Sequence, residues 1–393
     1  MPLALKRSFA ITWNLSELHG WGLVGVHTCL YMARNGVIPV LLTPPAANTI
    51  RPENLKVLEP LMPAHERLKA ATDRIPPEKV IQFNDLDVLH ALSNGFVPGP
   101  LSTRYRGVRN VGVIAFEDTR LDADVVARAR SYDKVVIHSH WNRRLLEEKG
   151  IANIGLAFQG IDPTEVGPGP RTGRFGDRFV VFSGGKLEFR KAQDVVLEAF
   201  KRFHQRHADS VLVTAWHNIW PQTALSMAES PIAKVAPRID GPRVAIKEWA
   251  VSNGVPADAF IDLGILSRPQ IAPILWDCDL AVFPNRCEGC TNLVAMEAMG
   301  CGVPVVLSAN TGHMDLVDPE RTYMLTRQTP VPDRDGSRIG WGEPSVDELV
   351  DLMEQAYADR EGARRRADKA MAFVRGERTW ENFARDFVAA CAE

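Results

Sequence analysis

Short runs of uninterrupted apolar residues alternate with amphipathic stretches along most of the chain. "FAITW" predicts a strand, "LVGVHTCLYMARNG" a helix closed by Gly36, and "VIPVLLT" the next strand. "NVGVIAF" with "DADVVARARSYD" is a further strand–helix pair, and "KVVIHS" with "WNRRLLEEKG" another, stopped at Gly150. Strands that are apolar throughout belong to a parallel sheet covered on both faces. The Gly- and Pro-rich "PTEVGPGPRTGRFGDR" then breaks the alternation and predicts a linker over 166–178. Beyond it come the strand "FVVFSGG", the helix "KAQDVVLEAFKRFHQRH", the strand "SVLVTAW", the helix "RVAIKEWAVSNG" and the short strand "FIDLG". "RPQIAPILWD" predicts a helix, and "LAVFPN" and "VPVVLS" predict strands. From about Ser345 the chain is helical, rich in Ala, Arg, Glu and Asp, and ends in "TWENFARDFVAAC". The pattern predicts an α/β protein of two doubly wound Rossmann-like domains facing a cleft, over 1–165 and 179–378, with a tail helix over 379–393.

Composition narrows this without redirecting it. A chain of 393 residues exceeds one ordinary core. With 46 basic and 48 acidic residues the charges nearly cancel, so bulk electrostatics argue against nucleic acid. A small anionic ligand would need a local basic site instead. In the N-terminal "MPLALKRSFAITWN" the basic residues follow a short apolar run instead of preceding it, unlike a secretory leader. No uncharged stretch approaches the roughly 20 residues needed to span a bilayer. The expectation is a cytoplasmic protein with membrane association at most peripheral.

Of the six cysteines, Cys287 and Cys290 form a CxxC, while Cys29, Cys278, Cys301 and Cys391 stand apart. A structural zinc site usually pairs CxxC with a second close-spaced knuckle. Cysteines in apolar contexts read as small hydrophobes, and no metal is expected. The arginine-rich "DREGARRRADKAMAFVRG" reads as a mostly solvated helix, and Trp341 as either a ligand contact or a packing residue.

Three turns at strand ends carry candidate chemistry, because ligands of open α/β sheets bind beyond the carboxyl ends of the strands. In "NLSELHGWGLVG" the glycines, including Gly20 and Gly22 around Trp21, allow close backbone approach to a ligand or simply a tight turn. In "FSGGKLEFRKAQD", Gly185 precedes Lys186 and Lys191, with Arg190 beside them. Cations at a helix start add to the positive end of its dipole, which is unfavourable unless an anion sits between them. In "NRCEGCTNLVAMEAMGCGVPVV" the amides of Thr291, Asn292 and Leu293 stand at a helix start and form a second anion cradle. Glu297, further along that helix, suits a ribose diol, and Glu288 lies in the loop beyond the phosphates. Capping is the structural alternative for either glutamate. Two phosphate signals and a diol-binding carboxylate point to a nucleoside diphosphate with something attached.

The last segment resembles the double-glutamate signature of the retaining glycosyltransferases of family 4, E-G-F-G-L-x-x-x-E-A-M-A-C-G-x-P-V-V. Here Glu288-Gly289 and Glu297-Ala298-Met299-Gly300-Cys301-Gly302-Val303-Pro304-Val305-Val306 stand at those positions. Lys186 and Lys191 match the family's basic pair, "SHWNRRLLEEKG" and "QGID" resemble its strand–helix unit, and Trp380-Glu381 its last helix. The resemblance implies the GT-B fold, with the C-terminal helices crossing back to the first domain. It also implies metal-independent sugar transfer from a nucleotide-sugar donor to a glycan, lipid-linked or small-molecule acceptor, with no bound cofactor. Lys186 and Lys191 would neutralise the leaving diphosphate, with Gly22, Gly185, Thr291, Asn292, Leu293 and Glu297 on the donor. Glu288, Glu117 and Lys191 are the candidate catalytic residues. Gly20 and Trp21 would face the acceptor or the moving sugar. Two departures stand out. Eight residues separate Glu288 and Glu297 where the family has seven, and Glu117 in "AFEDT" replaces a histidine of the family. His90, in "DVLHAL", is the other histidine placed near a strand end. A nucleotide-sugar epimerase and an inactive GT-B subunit are the alternative readings.

Overall fold

The computed structural model describes residues 8–393, so Lys6 and Arg7 of the N-terminal stretch lie outside the described residues. The chain forms two compact units. The first holds the chain up to Gly160 together with Arg334–Arg338 and Trp380–Glu393, and the second holds Ile161–Asp333 and Ile339–Thr379.

In the first unit, β1 (Ser8–Ile11), β2 (Val40–Leu41), β3 (Leu86–Ser93), β4 (Asn110–Val113), β5 (Lys134–Ile137) and β6 (Ile154–Leu156) are all parallel. Their order is β2-β1-β3-β4-β5-β6, so the winding direction reverses between β1 and β3. The connecting helices are α1 (Gly20–Arg34), α2 (Pro52–Leu58), α3 (Met62–Thr72), α4 (Ala123–Arg130) and α5 (His140–Glu148). Capping fixes where they begin: Asp122 and Ser139 accept from the amides of Val125 (2.9 Å) and Asn142 (3.1 Å).

The second unit repeats the plan with β7 (Phe179–Gly184), α6 (Gln193–His204), β8 (Ser210–Ala215), α7 (Ile246–Ser252) and β9 (Phe260–Asp262). It continues through α8 (Arg268–Leu275), β10 (Leu280–Phe283), α9 (Leu293–Gly300), β11 (Val305–Ser308) and β12 (Tyr323–Leu325). The parallel order β9-β8-β7-β10-β11-β12 is that of a nucleotide-binding doubly wound sheet. The period of two along β7 divides its residues between two cores. Phe179 and Val181 pack with Phe200 and Phe203, and Val180 and Phe182 with Met296 and Met299.

A hairpin, β13 (Gln328–Pro330) with β14 (Gly342–Pro344), then leads to α10 (Val346–Ala358), α11 (Arg360–Glu377) and α12 (Trp380–Ala392). Trp341, at this hairpin, packs against the core of the second unit. The final helix belongs to the first unit. His27 stacks on Trp380 at 4.7 Å, and Phe383 and Phe387 are buried beside His138. Each such buried side chain contributes about 1.5–3 kcal/mol.

Two expectations change. Residues 166–178 are not a free linker: Trp276 donates to the Gly167 carbonyl (2.7 Å), and Asp277 accepts from the amides of Thr172 (2.6 Å) and Gly173 (3.1 Å). Among the segment's glycines Gly169 serves this packing, since a Cβ there would stand 2.2 Å from the Trp276 ring. Helix α11 is also not simply solvated. Ala363, Ala367, Ala370 and Val374 form a buried stripe, and the helix packs against α9. Alanines at helical spacing form an apolar face too weak to stand out among arginines. The six cysteines are all free thiols, with only Cys290 half-buried and the rest buried. Among the described residues no helix is long and apolar enough to cross a membrane.

Candidate functional site

The winding of the second sheet reverses between β7 and β10, so the loops leaving these two strands border a natural crevice. One loop carries Gly185 to Lys191 and the other Asn285 to Asn292. Here an ion network joins residues 97 positions apart: Lys191 Nζ and Asn285 Nδ2 both donate to Glu288 Oε1, while Arg190 Nη1 lies 3.2 Å from Oε2. Arg190 Nε also reaches Glu188 Oε2 (2.9 Å), which Lys186 Nζ approaches at 3.2 Å. Lys186, Arg190 and Lys191 thus face Glu188 and Glu288, an excess of one positive charge at the strand ends.

Burial pushes the Glu288 carboxyl up, but Lys191 and Arg190 more than offset it and hold it at about 2, against 4.5 in water. Burial lowers Lys191, Glu288 offsets this only in part, and the neighbouring Arg190 charge lowers it further. The folded state therefore holds the Glu288 proton more weakly than the unfolded chain does. Its stabilisation is complete above about pH 4.5 and lost as the pH falls towards about 2. Glu288→Gln is expected to flatten this acid limb, read as the urea midpoint against pH.

Several residues not singled out from sequence shape the loop. Arg286, directly before the CxxC, is fully buried and doubly paired with Asp194 (2.9 and 2.7 Å) and with Glu343 (2.6 and 2.7 Å). A charged residue at the end of an apolar strand was the available signal. Thr311 Oγ1 accepts from the Glu288 amide (2.8 Å), and the Gly312 amide donates to the Glu288 carbonyl (2.9 Å). A Cβ on Gly312 would stand 1.9 Å from the Cys290 carbonyl oxygen, so only glycine permits this approach.

Asn292 caps α9: its side chain accepts from the Ala295 amide at 3.3 Å and its Nδ2 lies 3.0 Å from His313 Nε2. Its φ of 64° turns the loop, lengthened by one residue, into the helix. Burial holds His313 down at about 4, so it is neutral at physiological pH. The amides of Thr291, Asn292 and Leu293 have no acceptor among the described residues. Glu297 is buried against Arg268, whose Nη1 donates to Oε1, while Arg268 Nε pairs with Glu165 (2.9 Å).

The remaining candidates lie in the first unit. Glu117 is half-exposed beyond the end of β4, with its amide donating to Asn94 Oδ1 (3.2 Å). Gly20 opens α1, whose start is capped by His19 Nδ1 accepting from the Gly22 amide (3.0 Å). A Cβ on Gly22 would meet the Ser16 carbonyl at 2.1 Å, so this glycine serves the turn's own packing. Trp21 stands edge-on to Trp13 at 6.2 Å. His90 is not at a strand end. It lies within β3, buried, with Nε2 2.9 Å from Asn110 Oδ1, and burial lowers it to about 4.

A family described as "Family 4 Glycosyltransferase in conflict systems" matches residues 267–387. An uncharacterized glycosyltransferase of Bacillus subtilis, YqgM, is 26% identical over 189 residues, 48% of this chain and 42% of that protein. A D-inositol 3-phosphate glycosyltransferase of Stackebrandtia nassauensis is 28% identical over 174 residues, 43% of this chain and 36% of that protein. The matches thus span less than half the length of these relatives. Among solved structures, Anabaena HepE in complex with UDP and glucose superposes with a TM-score of 0.66 at 13% identity, covering 98% of this chain and 100% of HepE. Sucrose-phosphate synthase from Thermosynechococcus elongatus gives 0.67 at 14% identity, covering 98% of both chains. At these identities the likeness is one of fold. The chain is thus similar to family 4 glycosyltransferases over the matched segment and to two glycosyltransferases over less than half its length, and it shares the GT-B fold of the solved structures.

Proposed function

We propose that this chain transfers a sugar from a nucleoside-diphosphate sugar to a hydroxyl acceptor, with retention of anomeric configuration and without a metal ion. The observation that carries the reading is the group of three cations around Glu188 and Glu288 at the reversal point of the second sheet. A diphosphate placed there replaces Glu288 as the partner of Lys191. As the bond from the anomeric carbon to the phosphate oxygen breaks, charge grows on a group that Lys186, Arg190 and Lys191 already face. Cations fixed in advance need no reorganisation at the moment of reaction, often the largest catalytic contribution. They also fill the part a divalent ion would otherwise take. The amides of Thr291, Asn292 and Leu293 extend the cradle, and Gly185 keeps the backbone beside Lys191 open. Glu288, released from Lys191, accepts hydrogen bonds from the donor sugar, and Glu297 accepts them from the ribose.

In the first unit, Glu117 is the carboxylate that would take the acceptor hydroxyl's proton or its hydrogen bond, with Gly20 and Trp21 on the acceptor side. The acceptor class is a glycan, a lipid-linked carrier or a small molecule, and a cytoplasmic location belongs to the same proposal. HepE, of like fold, is known in complex with UDP-glucose, which supports a nucleotide-sugar donor.

The test is calorimetric titration with UDP, GDP, ADP, CDP and dTDP, first with EDTA and then with magnesium. Turnover of the matching sugar nucleotides is followed next. Tight, metal-independent binding of one diphosphate with sugar transfer is expected. Binding without turnover of any donor would instead make the chain a sugar-nucleotide-binding subunit, and no binding at all would remove the donor-site reading.

A further inference from the structure

Three buried charged groups beside the proposed donor site form a unit of their own. Arg268 is the first residue of α8, whose start is fixed by a reciprocal cap between Ser267 and Gln270. Its guanidinium lies between two carboxylates, Glu297 on α9 and Glu165 in the turn that follows Asp162. All three side chains are less than a tenth exposed: 9% for Arg268, 6% for Glu165 and 7% for Glu297. Glu297 Oε1 accepts from Arg268, whereas Oε2 accepts no hydrogen bond among the described residues. That second oxygen is not one of the fully buried polar atoms without a partner, so it stays open to a ligand. A carboxylate oxygen of this kind accepts only, so it is completed by a donor of hydrogen bonds and not by an anion.

We propose that Arg268 is a positioning residue for nucleotide recognition. Anchored on Glu165, it fixes Glu297 so that the open carboxylate edge meets the two hydroxyls of a ribose. This rests on the donor-site reading above. Two features follow from the geometry. Glu165 takes Nε of Arg268 and keeps the guanidinium from swinging across the carboxylate edge it supports. The pairing also fixes which Glu297 oxygen is left for a ligand, Oε2. The ligand class selected is therefore a ribonucleotide over its 2′-deoxy counterpart.

The experiment compares each of UDP, GDP, ADP and CDP with its 2′-deoxy form by calorimetry, in the wild-type protein and in Arg268→Met, Arg268→Lys and Glu165→Gln. A hydrogen bond to a charged acceptor predicts a wild-type preference for the ribose form of roughly ten-fold or more. Arg268→Met is expected to reduce that preference to within about two-fold, with inorganic diphosphate bound as in the wild type. Arg268→Lys should restore part of it, and Glu165→Gln, a milder change, should lower it less. In turnover the loss should fall on KM with kcat kept, because ribose contacts are the same in ground and transition states.

Three results would overturn the proposal. Arg268→Met could keep the full preference. It could bind the ribonucleotide more tightly, making the Arg268–Glu297 pair a blocker of the site. It could also lose diphosphate binding together with ribose selection while Glu165→Gln stays folded and fully selective, which would make the arginine merely structural. Failure of the wild-type protein to bind any of the nucleotides would instead remove the donor reading itself.

Discussion

Lys191→Ala should slow sugar transfer by roughly 10²–10³-fold, the usual cost of removing one fixed donor from a site of developing negative charge. Binding of the nucleoside diphosphate should weaken by roughly ten- to hundred-fold, as for a lost hydrogen bond to a charged group. The reason lies in where the ammonium stands. It is buried, it donates to Glu288, and it shares that carboxylate with Arg190, so its charge is both available and already desolvated. Lys186 makes the useful comparison. Its side chain is 31% exposed and its partner is Glu188, so Lys186→Ala should cost several-fold less on both counts. Titration calorimetry and single-turnover assays with the identified donor provide the numbers. Equal diphosphate affinity in Lys191→Ala and wild type would confine the lysine's role to holding Glu288, and the charge-neutralisation mechanism would have to be abandoned.

Arg286→Met is expected to destabilise the protein by roughly 3–5 kcal/mol, as breaking a buried ion pair by removing one partner generally does. The Arg286 and Asp194 side chains are both wholly buried. Beyond its paired bonds to Asp194 and Glu343, the guanidinium donates to the Phe189 carbonyl (2.7 Å) and lies 4.1 Å above the Phe189 ring. One side chain therefore ties the start of α6, strand β14 and the turn before Arg190 to the loop that bears Glu288 two residues later. Removing it leaves Asp194 charged and buried without its arginine. Urea unfolding measures the loss. A control separates charge from packing: replacing Arg286, Asp194 and Glu343 together by apolar residues of similar size should recover most of the stability. If the triple variant is as unstable as the single one, the contribution is shape rather than charge balance. Donor binding should still fall in the triple variant, because the Glu288 loop has lost its fixed anchor.

Much of this chain was legible from one dimension. The uninterrupted apolar strands and the Gly36 and Gly150 stops are local signals. They specified two parallel-sheet units because period and capping act over a few residues. Lys186, Lys191, Glu288 and Glu297 stood out through their positions at strand ends and helix starts, where exposed amides and the helix dipole make charge informative.

What the tertiary structure decided is which charges meet. Glu288 finds Lys191 and Arg190 across nearly a hundred residues because β7 and β10 are neighbours at the point where the winding reverses. Arg286 selects Asp194 and Glu343, and Arg268 selects Glu165 and Glu297, through loops whose closure no local pattern encodes. The alanine face of α11 and the three residues of β12 carry too little local signal to be read before their neighbours are placed. Secondary structure follows from the propensities and periods of contiguous residues. A buried ion pair exists only where folding brings two distant side chains out of water together, and that partnership belongs to the packed structure.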